Sequence, residues 1–370
     1  MSLKCRGIWF PRYVDHVSVW EIPAHVPIMD QILSRLDMDE RFRCMRVPAA
    51  RPVPGLEEDV RRGLLVRPRS LPPKYFYDER GSALFDRICD TPEYYPTRTE
   101  DALLAACAGQ VIARARPDHI IELGSGASRK TGHLLTALDR AGLDGCQYWP
   151  FDVCEPMLRQ AAARLMAAHA GLRVNALVGD YLGGLSGMPR PGGRRLFVFL
   201  GSTVGNFEPA EAVGFLRELA ALMDSGDSLL LGADRVKSPA VLEAAYNDAE
   251  GVTAAFNLNL LEVLNRELDS DFMPDAFMHR ALYNAVDQRI EMYLISRVRQ
   301  MVHLSRLGEH LELDAGESIL TEISRKFTPE TLEAMLGEAG LESVARFEPE
   351  NGYFSLVHAR LSRRSRVRPL

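Results

Sequence analysis

An acidic residue and two glycines close an apolar run at Ile120–Thr131, IIELGSGASRKT. The run from His119 to Leu123 reads as a buried strand, and Gly124-Ser125-Gly126 as a turn in which main chain approaches a ligand with no Cβ in the way. Lys130 to Leu138 carries apolar residues at helical spacing. The turn therefore lies between the carboxyl end of a strand and the start of a helix, where open α/β sheets bind ligands. A nucleoside cofactor is the expected occupant. The spacing departs from that of a dinucleotide fold, because Arg129 stands where a third glycine would be required. A plain tight connection is the alternative that the turn alone leaves open.

Other polar residues fall at the ends of apolar runs. If the glycine turn holds a nucleoside, an acid at the end of the second strand should accept from the ribose hydroxyls, and Asp152 of YWPFDV stands there. Its alternative role is to cap the helix that starts near Pro156, although Asp152 is several residues early for that. After a third strand comes Val178-Gly179-Asp180-Tyr181, where Asp180 suits an adenine amino group and Tyr181 its ring. The fourth strand ends in GSTVGNF, residues 201–207, with small polar residues where cofactor and acceptor would meet. Asn206 reads equally well as a turn residue.

The elements that must position these residues form a regular alternation. Helices are expected at 101–115, 130–141, 155–170 and 209–223, and strands at 119–123, 147–152, 173–178, 195–201 and 228–232. This alternation predicts a parallel, doubly wound sheet. Beyond Ala233 the rhythm changes to a long helical stretch over 240–268 and alternating segments at 289–302 and 310–313, read as an α+β insertion. The register returns with a helix at 328–339, and two final strands lie within 342–360. Residues 1–56 are rich in proline and aromatics, Trp9, Phe10 and Trp20 among them, and show weak periodicity.

The 370 residues suffice for two domains or for one with a large insertion. A net charge of -6 gives no electrostatic reason to expect nucleic acid. The basic tail from Arg360 to Arg368 reads as a solvated end. The six cysteines are scattered without a C-x-x-C pair, so neither a zinc site nor a disulfide framework is predicted, and no metal is expected. Every apolar run of the amino-terminal segment is interrupted, which predicts no secretory signal and no membrane span.

Glu-x-Gly-x-Gly at 122–126 resembles the first motif of S-adenosylmethionine-dependent methyltransferases. That makes Glu122, Gly124, Ser125, Gly126 and Lys130 the expected cofactor contacts, with Asp152, Asp180 and Tyr181. Longer segments sharpen the resemblance: YFYDERGSALFDRICDTPEYYPTRTE at 75–100, FLGSTVGNFEP, GVTAAFNLNLLEVLNREL and TEISRKF. Together, from about Leu56 to about residue 360, they resemble the histidine-specific Nα-methyltransferases of ergothioneine biosynthesis. The resemblance implies that Asn206 and Tyr246 hold the α-carboxylate and α-amino end of the substrate. It places Tyr77 near the amine as the catalytic residue and Tyr94 at the pocket. Glu322 and Ser324 would bind the imidazole, with Met292 packed beside it.

The implied fold is a Rossmann-like methyltransferase core over 99–235 and 327–370. A discontinuous α+β substrate domain would span 56–98 and 236–326, leaving 1–55 as an extension. The implied reaction is trimethylation of L-histidine, through its mono- and dimethylated forms, by a cytoplasmic monomer. Two rivals are methylation of another aromatic amino acid such as tryptophan, and a sensor that binds ligand without turnover. A carboxylate facing an imidazole N–H favours histidine, because a wrong ligand leaves a buried acceptor unpaired at about 1–3 kcal/mol.

Overall fold

The computed structural model describes residues 39–143 and 145–363. Trp9, Phe10 and Trp20, with the part of the basic tail beyond Arg363, lie outside the described residues. In chain order the first half holds β1 (Phe42–Arg46), α1 (Leu56–Asp59), β2 (Arg69–Ser70), α2 (Glu79–Asp90), α3 (Tyr95–Ala115) and β3 (His119–Leu123). It continues with α4 (Gly132–Arg140), β4 (Gln147–Asp152), α5 (Glu155–Ala168), β5 (Arg173–Val178), β6 (Arg195–Phe199), α6 (Pro209–Leu222) and β7 (Ser228–Asp234). The second half adds α7 (Pro239–Tyr246), α8 (Val252–Leu268), β8 (Phe277–Asn284), β9 (Arg289–Ser296), β10 (Gln300–Leu304) and β11 (Glu309–Leu313). β12 (Ser318–Arg325), α9 (Pro329–Glu338), β13 (Leu341–Phe347) and β14 (Phe354–Leu361) complete it.

The large sheet has the order β1-β5-β4-β3-β6-β7-β14-β13. It is parallel from β1 to β7, and β14 runs antiparallel to both of its neighbours. Every residue of β3, β6 and β7 is buried, as expected of parallel strands covered by helices on both faces. Two apolar clusters flank the sheet. One joins Leu104, Val111 and Ile112 of α3 to Ile120 and Val198; the other joins Phe215, Leu216 and Leu219 of α6 to Phe197, Phe199 and Leu231.

β3, β4 and β5 fall at the residues their patterns predict. The helix expected from Asp101 begins earlier, at Tyr95, where Pro96 occupies the first turn and loses no intrahelical bond by lacking an N–H. The expected boundary at residue 56 cuts through the sheet. Phe42–Arg46 pairs with β5 in parallel register, and Ala50 and Arg51 N–H donate to Gly183 O at 2.7 and 3.0 Å.

A four-stranded sheet, β2-β12-β9-β8, and the β10-β11 hairpin form the second layer system. Its apolar cluster is separate from the first two and includes Phe76, Tyr94, Leu242, Phe256, Leu260 and Met292. The helical stretch expected over 240–268 is broken. Gly251 takes φ +72°, and Asp248 caps α8 by accepting from Val252 and Thr253 N–H at 2.7 Å each. The break leaves Tyr246 as the last residue of α7.

Candidate active site

The glycine turn stands at the carboxyl end of β3, which lies between β4 and β6, so the strand order reverses there. Such a switch point opens a crevice beyond the strand ends. Gly124 and Gly126 hold φ of +64° and +50°, a region that side chains other than glycine rarely adopt. A Cβ on Gly124 would lie 3.6 Å from the Tyr181 ring. Gly124 N–H donates to the Phe151 carbonyl at 2.8 Å and ties the turn to β4. Asp152 completes the tie: Oδ2 accepts from Gly126 N–H at 2.9 Å and Oδ1 from Cys154 N–H at 3.0 Å. The N-cap position of α5 belongs to Cys154. Each carboxylate oxygen of Asp152 keeps lone-pair capacity, which suits a vicinal diol.

Asp180 Oδ1 accepts from Leu182 N–H at 2.8 Å. Tyr181 packs edge-on against Phe199 and Phe215, with centroids at 6.0 and 5.6 Å. Ser125 Oγ is buried without a partner among the described residues. Bare glycine backbone under an aromatic ring and an orphaned hydroxyl beside it fit a nucleoside-bearing cofactor.

Two expected cofactor contacts are engaged elsewhere. Glu122 is 4% exposed, and its Oε2 accepts from Thr131 Oγ1 at 2.6 Å and from Tyr148 OH. The carboxylate thus braces the turn from within the core. Burial pushes the Glu122 carboxyl up to about 7, opposed by those two hydrogen bonds. Lys130 pairs with the fully buried Glu100 of α3, whose oxygens each lie 2.9 Å from Gly201 N. Lys130 and Glu100 therefore link the turn after β3 to the turn after β6. Glu100 was absent from the expected site residues, although its signal is present. It shares an i, i+3, i+4 stripe with Leu103, Leu104, Cys107 and Ala108, and a carboxylate in an apolar stripe needs a partner.

The second group of residues comes from segments far apart in the chain. Tyr77 sits between the fully buried Phe76 and Asp78, which caps α2 by accepting from Gly81 N–H at 2.8 Å. Asp78 also accepts from Asn259 of α8 at 2.8 Å. Tyr77 is thereby held on both sides while 41% of its surface stays open. Its ring meets Phe85 and Phe256, centroids 5.8 Å from each. Phe85 meets Tyr94 at 6.3 Å, and Tyr94 meets Tyr246 at 5.9 Å. α2, α8 and the starts and ends of α3 and α7 thus build one aromatic wall.

β12 supplies the polar side. Glu322 and Ser324 are two residues apart and share a face, and Met292 of β9 stands opposite Glu322 in the ladder. The register shifts between Leu320 and Glu322, the kind of irregularity that re-aims side chains. The Glu322 carboxylate has no hydrogen-bond partner among the described residues. Burial pushes it up to about 7, with Lys326 opposing. The hydroxyls of Tyr77, Tyr94 and Tyr246 are raised by desolvation and further by the Glu322 charge, so the four groups belong to one environment.

Asn206 ends the 3-10 turn Thr203–Asn206 that follows β6. This turn abuts β12 so closely that a Cβ on Gly205 would lie 2.7 Å from Arg325 O. The ends of the large sheet and the pocket strand therefore meet beside Asn206. Tyr246 OH donates to Ser324 Oγ at 2.9 Å, and Lys326 Nζ lies 2.9 Å from Asp234 Oδ2. Burial works against the charge on Asp234, yet Lys326 and Lys237 hold its carboxyl below the usual range. A surface groove of about 740 Å3, lined by Leu56, Glu57, Lys74, Asp78 and Glu267 among others, shares only Tyr77 with this site. Among the described residues no cluster of His, Cys, Asp and Glu is arranged to hold a metal ion. Nor is any helix among them long and apolar enough to cross a membrane.

The sheet order, the glycine turn at its switch point and the carboxylate at the end of β4 define a Rossmann-like, S-adenosylmethionine-dependent methyltransferase. The family described as "Histidine-specific methyltransferase, SAM-dependent" matches residues 56–361, and the chain belongs to it. The chain is 48% identical over 302 residues to a protein of Mycobacterium tuberculosis named "Histidine N-alpha-methyltransferase", covering 82% of this chain and 94% of that one. It is 49% identical, with the same coverage, to a protein of that name from Mycolicibacterium smegmatis. Similarity extends to "Ergothioneine biosynthesis protein 1" of Neurospora crassa, at 31% over 77% of this chain and 32% of the longer fungal one. The family match begins at residue 56, so β1 and the strand-to-loop contacts at Ala50 and Arg51 lie before it.

Proposed function

We propose that this chain catalyses the S-adenosylmethionine-dependent Nα-trimethylation of L-histidine, giving the histidine betaine at the first step of ergothioneine biosynthesis. The observation that carries this reading is the Glu322 carboxylate. It is unpartnered, pushed up to about 7 by burial and shares a strand face with the Ser324 hydroxyl. An imidazole N–H would pair that acceptor, whereas an apolar side chain would leave it unpaired.

The cofactor supplies an electrophilic methyl group from its sulfonium. Gly124, Ser125, Gly126, Asp152, Asp180 and Tyr181 would hold it. Glu122 and Lys130 would support the turn indirectly, through Thr131 and Tyr148 in one case and Glu100 in the other.

Asn206 and Tyr246 would take the α-carboxylate and α-amino end, at the meeting of the 3-10 turn and β12. Tyr77 is the catalytic residue of this reading: its phenol orients the amine and excludes water by closing the aromatic wall. Each transfer needs a neutral amine. The α-amino group of a peptide has a reference pKa of roughly 7.7–8.0 and the carboxylate of a free amino acid raises it further, so solvent suffices to take the first proton at alkaline pH. Phenol and amide contacts also tolerate the loss of an N–H at each methylation better than a carboxylate clamp would. The trimethylated cation then faces aromatic rings, which attract it.

The separate apolar cluster of the second sheet supports a substrate unit built from 56–98 and 236–326, closing on a core of 99–235 and 327–370 to which β1 also belongs. We read the enzyme as a cytoplasmic monomer that engages no nucleic acid. Mass spectrometry of reactions with S-adenosylmethionine and each of the twenty amino acids tests the proposal. Additions of one, two and three methyl groups confined to histidine are expected. Methylation of another amino acid instead would overturn the pocket assignment.

A further inference from the structure

Lys326 lies just past the end of β12 with its side chain fully buried. Its ammonium has three N–H donors and no acceptor, and three acceptors surround it: Asp234 Oδ2 at 2.9 Å, Tyr246 OH at 3.0 Å and Ser324 Oγ at 2.9 Å. Each N–H is thereby committed. Asp234 Oδ2 also accepts from Tyr95 OH at 2.7 Å, and its other oxygen, Oδ1, from Lys237 Nζ at 2.6 Å. The cluster is anchored to the last residue of β7, in the cofactor-binding sheet.

Lys326 donates to both hydroxyls, so neither can donate back to it, and the pair is ordered by its own contact, in which Tyr246 OH is the donor. Tyr246 OH accepts from Lys326, so its own proton points elsewhere, and Ser324 Oγ receives it at 2.9 Å. Ser324 Oγ then accepts twice, from Lys326 and Tyr246, which fills both of its lone pairs. Its own proton must leave the cluster. Ser324 shares a strand face with Glu322, so that proton is available to whatever occupies the pocket.

We propose that Lys326 is a positioning residue: by donating to both hydroxyls it bars either from donating inward, and with Tyr246 OH donating to Ser324 Oγ the free proton of the pair leaves through Ser324, which then meets the substrate ring only as a donor. Ionised Glu322 can only accept. The pocket then presents one acceptor and one donor, the complement of a neutral imidazole with its one N–H and one bare nitrogen. A pyrrole or indole ring offers the N–H but no bare nitrogen, so the Ser324 proton would go unmet. This rests on the histidine reading of the pocket.

The test compares kcat/KM for histidine with that for the better used of the two pyrrolylalanines, each of which keeps one ring N–H and replaces the other nitrogen by C–H. The comparison is made in the wild type, Lys326→Met, Ser324→Ala and the double variant. Expected is a histidine preference that narrows about tenfold in each single variant and no further in the double variant. S-adenosylhomocysteine binding should stay constant across the set. Removing one partner of a buried ion pair can prevent folding, so Lys326→Met with Asp234→Asn serves as the charge-neutral alternative. A merely structural role for Lys326 would lower use of both amino acids alike and leave the ratio unchanged. That unchanged ratio, in a folded Lys326 variant or in Ser324→Ala, overturns the inference alone. A wild type that leaves histidine unmethylated overturns the histidine reading and this inference with it.

Discussion

The two ends of the site are built on opposite principles. At the cofactor end the carboxylates that shape the cleft are satisfied by the protein itself: Asp152 takes two backbone N–H groups, Glu122 two hydroxyls, and Glu100 a lysine and a backbone N–H. At the amino-acid end Glu322 and Asn206 have no side-chain hydrogen-bond partner among the described residues, and Tyr77 is 41% exposed. Prior satisfaction gives a rigid cradle that accepts one cofactor in one pose. Open valence gives discrimination, because an acceptor that a ligand covers without pairing penalises that ligand. The difference teaches that the large sheet holds the cofactor while the small one selects the side chain of the amino acid.

The comparison breaks most readily at Asp152. Asp152→Ala frees Gly126 N–H and Cys154 N–H and removes the candidate ribose acceptor at once. A loss of about 100-fold or more in S-adenosylhomocysteine affinity is expected by calorimetry, from hydrogen bonds worth about 1.5–3 kcal/mol to a charged group. A loss under threefold would mean that Asp152 only shapes the turn.

The next effect lies in pH. The free enzyme's Glu322 carboxyl sits at about 7, so log kcat/KM for histidine should rise as pH climbs through about 7 and the carboxylate forms. A second rise, set by the substrate ammonium and lying above the roughly 7.7–8.0 of a peptide α-amino group, should follow. Glu322→Gln should lose the lower rise and keep the upper one. A profile identical to wild type would remove Glu322 from substrate recognition.

The smallest effect concerns stability. Glu122 holds its proton more tightly in the folded chain, at about 7 against an ordinary 4.5, so its contribution to stability is greatest below about 4.5 and falls as pH rises towards 7. Glu122→Gln keeps an acceptor for Thr131 and Tyr148 without the buried charge. Relative to wild type, its thermal midpoint should gain roughly 2–4 °C between pH 5 and pH 8. A gap that stays constant with pH would show that Glu122 is ionised in both states.

Legibility in the sequence divides along the same line. β3, β4 and β5 are apolar runs buried on both faces, ended by residues with a chemical role, and their bounds were readable. β8 was not. In FMHRALYN the burial alternates from Phe277 to Ala281 but the hydrophobicity does not follow it, because His279 turns inward to the Tyr246 carbonyl at 2.8 Å while Met278 faces out. β12 was recognisable only as the motif TEISRKF. Its inward residues Glu322 and Ser324 are polar because they face a pocket, and the shift after Leu320 disturbs the period of two. β1 is not legible because FRCMR, with exposed arginines at 43 and 46, reads as a charged segment rather than an edge strand. The glycine turn could be read locally, whereas the amino-acid pocket, drawn from residues 77 to 324, could be reached only through family resemblance. Lys326 and Asp234 had no local signal: one closes a polar strand, the other an apolar one, and only their meeting at 2.9 Å reveals a partnership.

The most direct test of this division is a pair of titrations on one protein, Glu322→Ala, with S-adenosylhomocysteine and then with histidine. Cofactor-product affinity within about threefold of wild type and histidine affinity lower by about 100-fold are predicted, the latter from a charge-assisted hydrogen bond of up to about 3 kcal/mol. Equal losses in both titrations would contradict the account, because Glu322 would then support the fold as a whole rather than read the imidazole.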